Sequence, residues 1–208
     1  MSHPLPPNLP GFIQAIAPVV NTYGYWAVGG FIALEDFGTP FIPGESILIA
    51  AAVFAGFGNL NIWLVMLVAF VAAIIGDNIG FAIGEFGGRP LVERYGKYIL
   101  ITPQRLDKLE TFFNKHGPKI VVIARFIEGL RQFNGIIAGI SDMRWPTFIV
   151  FNAIGAALWV GLWSMVGFYG GSHIQTIYKY GVYISAIAIV IALGYIAYRV
   201  VKKRRAKA

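Results

Sequence analysis

No cysteine occurs among the 208 residues, and no lysine or arginine among the first 88. The first absence excludes disulfides, thiolate metal sites and a cysteine nucleophile. Charge is scarce throughout: Asp, Glu, Lys and Arg make up 13% of the chain, against about 25% in soluble proteins. A soluble fold with so few charges could not cover its own surface. This excludes a disordered chain and argues against an ordinary cytosolic enzyme. Histidine is rare too, and His3, His116 and His173 lie too far apart for a metal-ligand spacing. The first ten residues lack a basic n-region, so they do not read as a secretory signal and the first apolar span is expected to remain as a membrane helix.

What fills the chain instead is hydrocarbon. Hydrophobic residues reach 57% and aromatics 15%, with a mean hydropathy of +0.65. The class is an all-α integral membrane protein. The net charge of +7 would suggest nucleic acid in a soluble protein, but its distribution points to topology. Seven basic residues fall in 89–119 and six in the last ten positions, Arg199, Lys202, Lys203, Arg204, Arg205 and Lys207. Short basic segments beside apolar spans stay in the cytoplasm, so both are expected on that side, and no nucleic-acid partner is implied.

Crossing about 30 Å of hydrocarbon takes roughly 20 helical residues. Four stretches qualify: about 11–34, 60–86, 146–171 and 180–199. Two others do not. The apolar run 46–57 is too short and follows Pro40, Pro43 and Gly44; 120–140 is interrupted by Arg125, Glu128 and Arg131. If 120–140 crossed, three spans would put the two basic segments on opposite sides. Read as re-entrant hairpins, about 36–58 and 120–143 leave both segments, and the N-terminus, cytoplasmic. Such backbone is tolerated at membrane depth only when buried in protein or lining a wet cavity. The expected layout is a tail over 1–10, one transmembrane domain over 11–199 with a cytoplasmic loop at 89–119, and a basic cytoplasmic tail over 200–208.

A weak internal repeat fits this layout. At an offset of 83, Glu45, Ala55, Gly56, Ala73, Gly84, Gly87 and Gly88 recur as Glu128, Ala138, Gly139, Ala156, Gly167, Gly170 and Gly171. Chance is a rival, since small residues are common here. Inverted repeats with broken helices meeting at mid-membrane are a transporter architecture. Between the copies, Thr102 can cap, Pro103 suits a first helical position and Gly117 a stop. Leu106, Leu109, Phe112 and Phe113 share one face, predicting an amphipathic helix lying on the inner leaflet.

Glu35, Glu45, Arg125, Glu128 and Arg131 demand an explanation, because a lipid-facing charge costs about 2.5–3.5 kcal/mol even on mild scales. If 125–131 is helical, Arg125, Glu128 and Arg131 share one side, leaving positive charge for an anion. The planar fork of arginine matches phosphate in a bidentate way. Glu35 and Glu45, in a low-dielectric cavity, are candidate proton carriers. The plainer reading pairs Glu35 or Glu45 with Arg125 or Arg131 to lock the hairpins together. Asp77 reads equally as helix packing or cavity lining.

These same residues carry a resemblance. The run from Glu35 through Pro40, Pro43 and Gly44 to Glu45 resembles the first signature of the DedA family, which carries the SNARE-associated or VTT domain. Gly76, Asp77, Gly80 and Gly84 resemble the second. Arg125, Phe126, Gly129 and Arg131, then Ala138, Gly139, Met143, Phe148, Asn152, Gly155 and Trp159, are similar to the third. The match covers roughly 25–175. The chain departs from the pattern at Glu128, where proline is expected, so a softer helix break and less local positive charge are anticipated.

The resemblance implies a bacterial inner-membrane protein with facing re-entrant hairpins. It also implies undecaprenyl phosphate recycling, maintenance of proton-motive force and, in eukaryotic relatives, lipid scrambling. Carried over by position, the resemblance assigns functional acids to Glu35 and Glu45 and functional arginines to Arg125 and Arg131. The expected function is translocation of an anionic lipid, with Arg125 and Arg131 binding its phosphate, Glu35 and Glu45 coupling protons or gating, and Asp77 and Glu128 as candidates to line the cavity. Membrane lipids are the expected partners, a homodimer is left open, and no cofactor is expected. The rival function is a proton- or sodium-coupled antiporter, in which the acids matter more than the arginines. A lipid phosphatase is disfavoured, because no nucleophile, histidine or metal cluster accompanies the arginines.

Overall fold

The computed structural model describes residues 11–39, 42–88, 90, 94, 103–127, 130–141 and 143–170. Every regular element among them is helical. Two are long and apolar enough to cross a membrane. The first is α4, Ile62–Ala82, which runs on as a π-helical turn over Ile83–Gly87. The second, here called α8, is Trp145–Gly170. Asn61 starts α4: its side-chain oxygen accepts from the amides of Trp63 at 2.9 Å and Leu64 at 3.3 Å, satisfying two of the donors a helix start leaves free. These two spans agree with the expected 60–86 and 146–171. The fourth expected span, 180–199, the basic tail and most of 89–102 lie outside the described residues.

The first expected span, 11–34, is not one helix. It divides into α1, Gly11–Tyr23, and α2, Tyr25–Asp36, at Gly24. Gly24 has φ 51°, in the left-handed region that a side chain disfavours. After a turn at Phe37 and Gly38, α3 runs over Gly44–Gly56. The first hairpin is therefore α2–turn–α3 and begins about ten residues earlier than the expected 36–58. Helices of 12 and 13 residues reach only about 20 Å at 1.5 Å per residue.

The segment expected as the second hairpin contains two short helices with a 3₁₀ turn between them. Lys119–Ala124 forms α6, a turn follows, then a 3₁₀ turn at Arg131–Phe133 and α7 over Asn134–Ile140. Arg125 and Arg131 are thus not on one continuous helix: Arg125 ends α6 and Arg131 opens the 3₁₀ turn. Glu128 lies outside the described residues.

The predicted amphipathic helix is α5, Pro103–His116, stopped by Gly117 at φ 64°. Its apolar stripe faces protein, with Leu109 and Phe112 half-buried. Leu106 and Phe113 are buried in a core with Phe81, Ile120, Ile137 and Phe148, while Lys108 and Lys115 on the other side are exposed.

The weak repeat has a structural counterpart. Each short helix packs against the long helix of the other copy: α3 against α8, and α7 against α4. A side chain on Gly56 would meet the backbone of Phe168; one on Gly139, 83 positions later, would meet the amide of Glu85, 83 positions before Phe168. Gly56 with Phe168 and Gly139 with Glu85 pair equivalent positions with the copies exchanged, although a side chain on Gly139 would meet the carbonyl oxygen of Phe81 first. Around them, Leu48, Val53 and Phe54 of α3 are fully buried with Trp159 and Val160 of α8. The outward faces of α4 and α8 stay apolar, with Leu67, Ile75, Leu158 and Met165 exposed, as membrane-facing helices require.

Candidate functional site

The two hairpins bring their interrupted ends to one place between α4 and α8. Glu35 and Asp36 are the last residues of α2, Asp77 lies within α4, and Asn152 and Trp159 lie two turns apart on α8. Gly76 lets α2 approach this closely, since a Cβ there would run into the carbonyl oxygen of Ala33 and the Cβ of Asp36. Arg125 and Arg131 enter from the second hairpin. All five charged groups are 1–3% exposed.

Each guanidinium is held by acceptors at its two terminal nitrogens, while Arg125 Nε is buried with no hydrogen-bond partner. Arg125 Nη1 donates to Asp36 Oδ2 at 3.0 Å, and its Nη2 donates to Asp77 Oδ2 and, at 2.9 Å, to Asn152 Oδ1. Arg131 forks onto Glu35, with Nη2 donating to Oε1 at 2.6 Å and Nη1 to Oε2 at 3.2 Å. Arg131 Nη1 also donates to Asp36 Oδ1 at 3.3 Å. Its guanidinium carbon stands 4.7 Å from the ring centre of buried Trp159, within cation–π range. Asp36 is therefore the bridge, one oxygen on each arginine.

Glu45, in the first turn of α3, is half-buried. It is close enough for its charge to act on Arg131. Of the residues singled out from sequence, the structure gathers Arg125, Arg131, Glu35 and Asp77, with Glu45 at the edge. Asp36 was missed as a site residue. Its only signal was adjacency to Glu35 at the end of an apolar run, and the position of a helix end decides which neighbour faces inward. Asn152 and Trp159 appeared only through the family motif.

The sequence expectation of spare positive charge does not describe this geometry. Two guanidiniums face three carboxylates at direct bonding distance, and no arginine face is open to solvent. An anion reaches Arg131 only if Glu35 and Asp36 let go. Among the described residues, no group of His, Cys, Asp or Glu is arranged to hold a metal ion.

A helical membrane protein whose spans enclose an ion-paired cluster, built where two broken helices meet, is the class these features define. The chain belongs to the DedA family: the family model for the VTT domain matches residues 42–169. Protein DedA of Escherichia coli is 34% identical over 164 residues, covering 76% of this chain and 74% of that protein. An uncharacterized membrane protein of Synechocystis is 34% identical over 159 residues, covering 76% and 72%. Undecaprenyl phosphate transporter A of Bacillus subtilis is 32% identical over 199 residues, covering 93% of this chain and 96% of that one. The relatives are bacterial membrane proteins, as is this chain. No solved structure matches it.

Proposed function

We propose that this protein is a transporter rather than an enzyme, and that it moves an anionic lipid, undecaprenyl phosphate, between the leaflets of the bacterial inner membrane. The observation that carries the reading is the buried pair Arg125 and Arg131, held by carboxylates at the meeting of two broken helices. A phosphate offers arginine the same forked oxygens that Glu35 offers Arg131 here. Exchange of Glu35 for phosphate on Arg131 is the binding step, and protonation of Glu35 or Glu45 favours it by weakening the competing acid. The isoprenoid tail stays in lipid throughout, so the cluster opens sideways rather than into a pore. The near-full-length likeness to a protein named as an undecaprenyl phosphate transporter supports this choice of solute.

A second reading draws on the charge count. Three carboxylates against two guanidiniums favour a cation over an anion, as in a proton- or sodium-coupled antiporter. The two readings part in reconstituted vesicles. Lipid transport predicts that Arg125→Ala and Arg131→Ala each abolish undecaprenyl phosphate flipping. Wild-type flipping in both variants, with cation-driven pH changes lost in Glu35→Gln, would leave the antiporter.

A further inference from the structure

The charge count does not balance, and the imbalance has an address. Glu35, Asp36 and Asp77 would carry three negative charges against the two positive charges of Arg125 and Arg131, all within a shell 1–3% exposed. A buried charge without a partner costs several kcal/mol even after relaxation. A cluster that holds one additional proton is neutral. The question is which acid carries it.

The bonding pattern separates the three. Glu35 uses both oxygens on Arg131, at 2.6 and 3.2 Å. Asp36 uses one oxygen on each arginine, at 3.0 and 3.3 Å. Both geometries suit a carboxylate, whose two oxygens each face a cationic donor. Asp77 differs. Only its Oδ2 meets a guanidinium, that of Arg125, while its Oδ1 is buried with no hydrogen-bond partner. A bare carboxylate oxygen is far more costly to bury than the neutral oxygen of a carboxylic acid.

The surroundings add no further cation, and the one other favourable contact of Asp77 is with the side-chain amide of Asn152. The charges that reach Asp77 are those of Arg125, Asp36 and Arg131. Of the other elements packed on α4, α8 contributes the neutral amide of Asn152, and buried Asn134 of α7 is likewise uncharged. Asn152 Nδ2 is itself buried and unpaired, a second polar group beside Arg125 with unused bonding capacity. Glu45 of α3 acts on Arg131, and Glu85 of the π-helical turn is exposed two turns along.

We infer that Asp77 is the proton-carrying acid of the cluster: in this arrangement it is a neutral carboxylic acid with its proton on Oδ1, while Glu35 and Asp36 are ionised. Loss of that proton leaves a carboxylate on Asp77 and one uncompensated negative charge among the five groups. This goes beyond the transport reading, because it fixes the resident proton without reference to what is carried.

Infrared spectroscopy of the full chain in liposomes at neutral pH tests it without any substrate. A buried protonated carboxyl gives a C=O stretch separate from carboxylate bands. The expected result is such a band that shifts on ¹³C-aspartate labelling, is unmoved by ¹³C-glutamate labelling, vanishes in Asp77→Asn and survives in Glu35→Gln. The isotope arms use the wild-type chain, so they stand even if a variant fails to fold. Absence of the band in wild type, its movement with the glutamate label, or its persistence in Asp77→Asn overturns the inference. Failure of lipid transport would leave it untouched.

Discussion

Asparagine in place of Asp36 is predicted to cost much more stability than asparagine in place of Asp77, although both acids are 1% exposed and both contact Arg125. Asp36 accepts from both guanidiniums. Making it neutral leaves two buried arginines with a single ionised acid, Glu35, and breaking a buried ion pair in this way costs about 3–5 kcal/mol. Asp77, if already neutral, loses only its acid proton on becoming asparagine, and Oδ1 of the amide still accepts from Arg125. The cost is then that of one altered hydrogen bond, about 1 kcal/mol. The gap between the variants is about 2 kcal/mol or more, roughly a 30-fold difference in the folding equilibrium. Reversible denaturant unfolding in mixed micelles at neutral pH measures it, with the slope compared between variants to confirm that the same surface unfolds. An Asp77→Asn variant as damaged as Asp36→Asn would refute the reasoning, since it would mean that Asp77 is charged and that the cluster tolerates the imbalance.

The exchanged-copy packing makes a paired prediction. Gly56→Val and Gly139→Val should each destabilise by about 1–3 kcal/mol or more, because the new side chains meet backbone of α8 and of the α4 extension. The two should be similar in size when measured by the same unfolding assay, and a harmless Gly139→Val would break the equivalence. The basic segment predicts sidedness: in the cysteine-free chain, a single cysteine replacing exposed Lys108 should react with impermeant thiol reagents only from the cytoplasmic face. Reaction from outside alone would reverse the topology argued from charge.

Several elements were readable in the sequence because they rest on local physics. The spans ending near 86 and 171 follow from hydrophobic length, and helix α5 from Pro103, Gly117 and its leucine–phenylalanine stripe. The meeting of acids and arginines follows from the expense of charge in hydrocarbon. The rest depends on three-dimensional contact. Gly24 breaks the first span, yet glycine is common inside membrane helices and nothing in its neighbours distinguishes a break from a packing site. The stripe of α5 is apolar whether lipid or protein covers it; the buried Leu106 and Phe113 settle that only in the fold. Likewise Arg125 and Arg131 looked available for an anion because their partners Asp36 and Asp77 are 89 and 48 positions away from Arg125. Spacing along one segment cannot count acids delivered by another.

The most direct test of the transport account is the flipping of labelled undecaprenyl phosphate in proteoliposomes, set beside labelled undecaprenol, which lacks the phosphate. The account predicts that the wild-type protein moves the phosphate and not the alcohol, and that Arg131→Ala moves neither. Equal movement of both lipids, or movement of the phosphate undiminished in Arg131→Ala, would contradict recognition by the buried arginines.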